Sequence, residues 1–299
     1  MKEIVIASAA RTAGGDFGGS LAGFTPTQLG VVAATAAIER AGISSENVQQ
    51  SFFGNVIHTE PRDMYVSRTI SIEAGIPDAA PALTVNRLCG SGLQAIVSGI
   101  QAIGMDDADI VLAGGTECRS RAAHILPSAR SGQKMGDTIA VDMMTAALHD
   151  PFGHGHMGVT AENIAAKFGI SREDQDAFAI ESHRRAALAV AHGYFEEQIV
   201  PVSVTTRKEP REFRTDEHVR ADAKLEDMSR LRAVFQKDGS VTAGNASGIN
   251  DGASAVVLMT RGAAEARDAP VLARVVTYGH AGVDPIIKGM GPEPAMQHA

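Results

Sequence analysis

The sequence predicts an α/β protein: a layered strand-and-helix domain interrupted by one long insertion. Three observations predict it. Apolar strand-like runs alternate with amphipathic helical spacing through the first third of the chain. The texture changes near Arg119, after which the chain is richer in charge, His, Met and Gly as far as about Val241. Strand patterning then returns at residues 253–259 and 271–278. The length of 299 residues sets a prior of two domains at about 150 residues each.

The elements read as follows. Residues 4–9 form a buried strand. Residues 27–41 form a helix, apolar at Leu29, Val32, Ala33, Ala36 and Ala37 and stopped by Gly42. Residues 51–57 and 82–85 are further strands. Leu93, Ile96, Val97, Ile100 and Ile103 recur at helical spacing and end at Gly104. Residues 109–113 are a buried strand, closed by Gly114-Gly115. Beyond Arg119 two helices stand out. One covers 160–168, with Thr160 as its cap; the other covers 171–192, with Ser171 and Asp174 in a capping box. Residues 201–217 read as a long irregular stretch, and long ordered loops tend to be functional.

Composition excludes several classes. At 44% hydrophobic and 21% charged, the chain is neither disordered nor fibrous. A formal charge of -8 disfavours nucleic-acid and anionic-membrane partners. No run approaches the ~18 apolar residues of a membrane span. Lys2-Glu3-Ile4-Val5 enters a strand almost at once, without the basic start and apolar run of a secretory signal. Two cysteines, Cys89 and Cys118, lie in unrelated contexts, which favours a reduced, cytoplasmic chain.

Cys89 is the candidate nucleophile. In Asn86-Arg87-Leu88-Cys89-Gly90-Ser91-Gly92 it stands between a strand and a helix. The positive end of a helix and its unpaired N–H groups stabilise a thiolate. Glycines on its far side leave room for a flat thioester to meet the sulfur and an oxyanion donor. On spacing alone, a buried Cys in a glycine turn is an equal alternative. Cys118, just after a buried strand, reads as a packed, inert thiol.

Other patterns fail their structural tests. Gly153-His154-Gly155-His156-Met157-Gly158 satisfies G-x-G-x-x-G, but no strand precedes it. His149, His154 and His156 lack the companions of a zinc site. Arg207-Lys208-Glu209-Pro210-Arg211 is mixed in sign and reads as a solvated loop.

Asn86–Gly92, preceded by Ala82-Leu83-Thr84-Val85, resembles the active-site cysteine motif of thiolases. Arg11-Thr12 and Phe17-Gly18-Gly19-Ser20-Leu21 resemble that family's first signature, and Gly54-Asn55-Val56 its second strand. Gly114-Gly115-Thr116-Glu117 resembles the end of the strand before its insertion. His156-Met157-Gly158-Val159-Thr160-Ala161-Glu162-Asn163 resembles its coenzyme A-binding loop domain. Val241-Thr242-Ala243-Gly244-Asn245-Ala246-Ser247-Gly248-Ile249-Asn250-Asp251-Gly252-Ala253 resembles its longest motif, and that motif argues against a ketoacyl synthase.

The resemblance implies a thiolase-like N-terminal α/β domain (1–118 and 249–270), an inserted loop domain that binds coenzyme A (119–248), and a stub of a second half (271–299). It implies an acyl-CoA C-acyltransferase. Two acetyl-CoA would condense reversibly to acetoacetyl-CoA, or a 3-ketoacyl-CoA would be cleaved, through acyl-Cys89. Leu148, His156, Met157, Arg220, Phe235, Ala243 and Ser247 would line the coenzyme A and thioester site. Read without it, Arg220 is a surface charge, Ser247 a cap and Phe235 ordinary core. Residues 123–142 would serve assembly into a homodimer or homotetramer. No metal or redox cofactor is implied. His58-Thr59-Glu60-Pro61-Arg62-Asp63-Met64 resembles bacterial thiolases that accept somewhat longer chains.

Departures stand at Asp227, where Ser is common, at Ala233, where Pro is usual, and at Lys288, where many members carry Met. The family's Gly-His-Pro histidine and Cys-x-Gly cysteine do not occur among the 299 residues. The expectation is slow acylation without turnover. The alternative is a non-catalytic coenzyme A-binding or subunit-pairing remnant. The strand at 271–278 is expected to lack sheet partners.

Overall fold

A computed structural model describes residues 2–205 and 209–299. The strands are β1 (Ile4–Arg11), β2 (Gly15–Asp16), β3 (Gln50–Gly54), β4 (Ala82–Val85), β5 (Ile110–Cys118), β6 (His124–Ile125), β7 (Val141–Asp142), β8 (Val202–Val204), β9 (Arg211–Phe213), β10 (Asn250–Thr260) and β11 (Ala273–Arg274). The helices are α1 (Pro26–Arg40), α2 (Val66–Glu73), α3 (Ser91–Gly104), α4 (Met143–Ala147), α5 (Met157–Phe168), α6 (Arg172–Ala191), α7 (Leu225–Ser229), α8 (Arg261–Glu265) and α9 (Pro292–His298).

The chain divides into two units. The first comprises Met1–Ala123, Phe195–His218 and Ile249–Val276; the second comprises His124–Tyr194, Val219–Gly248 and Thr277–Ala299. These boundaries cut differently from the sequence expectation. Residues 195–218 join the first unit because the Arg11 N–H donates to the Gln198 carbonyl, the Val200 N–H donates to the Arg11 carbonyl, and Phe195 packs on the apolar core.

In the first unit one mixed sheet runs β11-β1-β10-β5-β3-β4, with β2 also pairing β10. β10 pairs antiparallel with β1 on one side and with β5 on the other, whereas β5, β3 and β4 pair in parallel. Two apolar clusters fill the unit. Leu29, Phe53, Ile70 and Leu112 belong to one, and Ile103, Val111 and Leu258 to the other. α1 starts where Thr25 and Gln28 close a capping box ahead of Pro26, and ends before Gly42 at φ 68°.

Three readings need correction here. Gly114 and Gly115 do not close β5, which continues to Cys118. A Cβ on Gly114 would lie 2.3 Å from the Ser254 carbonyl oxygen and 2.7 Å from the Phe53 ring. The glycines therefore mark close strand packing rather than a turn. Residues 201–217 are not wholly irregular, because β8 and β9 pair antiparallel within them. Strands of three residues are too short to show a period. The strand expected at 271–278 shrinks to β11, and it has a partner, since Val5 and Ile6 of β1 pair with it.

The second unit is mainly helical. α6 begins at the Ser171–Asp174 capping box that the sequence predicts. α5 begins three residues earlier than predicted. Its cap is His156, whose Nδ1 accepts the Gly158 N–H at 3.0 Å. Thr160 lies inside the helix, its hydroxyl donating to the Met157 carbonyl at 2.8 Å. An imidazole cap lacks the Ser/Thr/Asp/Asn signature that marks most helix starts.

Candidate active site

In the first unit, Cys89 is exposed beyond the C-terminal end of β4, two residues before α3. Ligands of α/β sheets bind off the carboxyl ends of parallel strands. Exposure removes the buried-turn alternative for this thiol. The segment before it is tightly wound. Leu88 has φ 48°, the left-handed region that branched side chains rarely occupy. The Leu88 N–H donates to Asn86 Oδ1 at 3.1 Å, and the Arg87 N–H to Ser91 Oγ at 2.8 Å. The Ser91 hydroxyl donates to the Leu88 carbonyl at 2.6 Å. These bonds hold the turn that presents the sulfur.

Two glycines place α3 against the strand ends. A Cβ on Gly54 would lie 2.7 Å from the Ser91 carbonyl carbon, and one on Gly115 3.4 Å from Gly92 Cα. The start of the helix thus rests directly on β3 and β5. Nearby, the Glu117 carboxylate accepts the Val56 and Ile57 N–H groups, each at 3.0 Å, and Asn55 Nδ2 at 3.3 Å. Burial nevertheless keeps its pKa above the ordinary carboxylate value, against the pull of those two N–H groups. Cys118 is buried, and burial first, then the charges of Asp251 and Glu117, push its thiol far up. It is the inert thiol the sequence suggests.

The other seven singled-out residues all lie in the second unit. His156 stacks on Phe235, ring centroids 4.7 Å apart and nearly parallel. The stack depends on Gly158, where a Cβ would sit 2.1 Å from the Phe235 ring. The Met157 N–H donates to the Leu148 carbonyl at 2.8 Å, so these two are also neighbours. Burial, then His149 and Lys288, lower the His156 pKa and favour its neutral form. His149 meets His156 edge-on at 5.2 Å. Among the described residues, no three His, Cys, Asp or Glu side chains are grouped to hold a metal ion.

Ala243 and Ser247 are exposed on the turn that follows Val241. Arg220 is exposed, and its backbone N–H donates to His183 Nδ1 at 3.2 Å. Arg207 and Lys208 of the mixed-charge run lie outside the described residues; Arg211 donates to Ser20 Oγ at 2.7 Å. Sequence reasoning gave no role to Gly54, Gly158 or Glu162. The available signal for Glu162 was a carboxylate on the apolar side of an amphipathic helix.

An exposed cysteine in a strand–turn–helix elbow, with glycines admitting the backbone, is open to an incoming carbonyl. The model of the thiolase N-terminal domain matches residues 4–262, and the chain belongs to the thiolase family. It is 56% identical over 299 residues to the beta-ketothiolase BktB of Cupriavidus necator, covering all of this chain and 76% of that protein. It is 42% identical over 300 residues to the mitochondrial 3-ketoacyl-CoA thiolase of Bos taurus, again covering 76% of it. The crystal structure of human mitochondrial 3-ketoacyl-CoA thiolase superposes with a TM-score of 0.98 at 41% identity, over 100% of this chain and 76% of that one. The same human protein in complex with CoA gives 0.96, over 100% and 75%. No described helix is long and apolar enough to cross a membrane.

Proposed function

We propose that this chain transfers an acyl group from an acyl-CoA thioester to Cys89. The observation that carries the reading is the exposed Cys89 in its hydrogen-bonded elbow at the start of α3. Membership of the thiolase family and the relatives' names support it. The thiolate attacks the thioester carbonyl carbon and forms a new S–C bond. The resulting oxyanion collapses and expels the coenzyme A thiolate, which takes up the proton that Cys89 has lost.

His156, Met157, Leu148, Phe235, Ala243 and Ser247 hold the pantetheine arm and thioester, and Arg220 meets the nucleotide end. That the human relative forms a complex with CoA supports coenzyme A as the ligand. The family reaction, condensation of two acetyl-CoA or cleavage of a 3-ketoacyl-CoA, also requires a base for the Cα proton. The histidine and second cysteine that the resemblance calls for are not among these 299 residues, so we assign the acylation half-reaction to them. Acetoacetyl-CoA and somewhat longer 3-ketoacyl-CoAs are the substrate class. A cytoplasmic homodimer or homotetramer, a place in fatty acid metabolism and the absence of a metal or redox cofactor complete the reading.

Calorimetric titration with coenzyme A, paired with an acetoacetyl-CoA cleavage assay, tests it. Binding that Ser247→Trp abolishes, with no cleavage turnover, is the expected result. Absence of binding by the unaltered protein overturns the reading. Binding without any acyl transfer leaves a coenzyme A-binding remnant in its place.

A further inference from the structure

Helix α5 presents two residues one turn apart on the same face: Gly158, against the Phe235 ring, and Glu162, against the segment 239–241. Glu162 is buried and has no cation at its carboxylate oxygens among the described hydrogen bonds. Its partners are instead the backbone of one turn. Oε1 accepts the Ser240 N–H at 2.9 Å and the Val241 N–H at 2.7 Å; Oε2 accepts the Ser240 N–H at 2.9 Å and the Ser240 hydroxyl at 2.8 Å. Gly239 is required for this approach, because a Cβ there would lie 2.3 Å from Oε1.

The turn so gripped is wired onward. Gln175 Nε2 donates to Ser240 Oγ at 2.8 Å, which leaves the hydroxyl proton for Glu162. Asn245 Nδ2 donates to the Ser240 carbonyl at 3.0 Å and to Asp176 Oδ1 at 2.8 Å, while its Oδ1 accepts the Thr242 N–H at 2.7 Å. The Val234 N–H donates to the Val241 carbonyl at 3.0 Å, and Ala233 bridges Thr242. The backbone next to Phe235 is therefore tied to the same turn that carries Ala243. One carboxylate fixes, relative to α5, both the ring stacked on His156 and the turn leading to Ser247.

We propose that Glu162 is a positioning residue that sets the register between the His156–Phe235 stack and the Ala243–Ser247 turn, and so the affinity for the pantetheine arm of coenzyme A. The proposal rests on the coenzyme A reading above. Burial disfavours the charge, but the Ser240 and Val241 N–H groups and the Ser240 hydroxyl outweigh it, and Glu162 stays ionised below the ordinary glutamate range.

The test compares Glu162→Ala and Glu162→Gln in the full chain by amide hydrogen exchange without ligand and by calorimetry with coenzyme A. Glu162→Ala leaves two backbone N–H groups without acceptors. It should speed exchange across 240–246 by roughly tenfold or more and weaken coenzyme A by a similar factor. Glu162→Gln keeps one oxygen for both N–H groups and should restore most of each. Exchange in β3 and β5 should not change in either variant, which excludes global unfolding as the cause.

Two results overturn the proposal while the coenzyme A reading stands. In one, Glu162→Ala leaves 240–246 as protected as before. In the other, it loosens the turn with coenzyme A affinity unchanged. If the unaltered protein binds no coenzyme A, the underlying reading falls and the proposal falls with it.

Discussion

The two units are held together by different means. In the first, Val5, Leu29, Phe53, Ile70, Ile103, Leu112, Leu258 and Met259 are all fully buried, and helices cover a seven-stranded sheet. In the second, the described buried apolar side chains are Met144, Ala165, Met228 and Val241, against Asp150, Thr160, Glu162, Asp176 and Thr242 among polar ones. The first unit is stabilised by area removed from water, at about 25 cal/mol per Å². The second depends on side chains that satisfy the backbone of its loops, each such bond contributing about 1 kcal/mol net. A broad apolar core gives a rigid platform for one reactive atom. A polar lattice gives a surface whose fine geometry rests on a few carboxylates.

The largest expected effect attacks the platform. Phe53→Ala opens a cavity between β3, β5 and their covering helices and should cost about 3–5 kcal/mol, read as a fall in urea midpoint. Loss of protection across the whole first unit should accompany it. Next, Gly54→Ala drives a Cβ into Ser91 and should cost about 1–3 kcal/mol. Because it shifts the start of α3, it should also change the alkylation rate of Cys89, with Cys118 unlabelled throughout. In the second unit, Asp176→Ala removes one of the two acceptors of Asn245 Nδ2 and the carboxylate that Arg172 Nε meets. A cost of about 1–2 kcal/mol is expected, confined by hydrogen exchange to 240–246 and the start of α6.

The smallest effect is in pH, and its sign differs between the units. Glu162 has its folded pKa lowered from the ordinary 4.5. Its contribution is complete above that value and is lost as pH falls through the lower folded one. Glu117 has its folded pKa raised, so its charge opposes folding at neutral pH and that cost disappears as pH falls below 4.5. Exchange measured from pH 7 down through the lowered Glu162 value should show 240–246 loosening while the β3–β5 region does not. Equal loosening of both would dissolve the contrast.

The same contrast explains what the sequence discloses. The sheet and α1, α3 and α6 are legible because apolar periodicity and capping boxes are local signals of burial. The elbow at Cys89 is legible because strand, turn glycines and helix follow one another within a few residues. Gly114-Gly115 misleads because glycine can mark either a turn or a close approach, and only Ser254 and Phe53, distant in sequence, decide which. The start of α5 is missed because an imidazole is an uncommon cap. Glu162 is missed because its partners lie some eighty positions away. Polar lattices are written in long-range pairs, and a single sequence shows one end of each pair at a time.

The central claim is that Cys89 accepts the acyl group. Incubation with acetyl-CoA, denaturation and peptide mapping by mass spectrometry test it most directly. One acetyl group, found on the Cys89 peptide and absent from Cys89→Ala, is the predicted result. An unmodified Cys89 in a protein that binds coenzyme A, or acetyl found only on lysines, would contradict it.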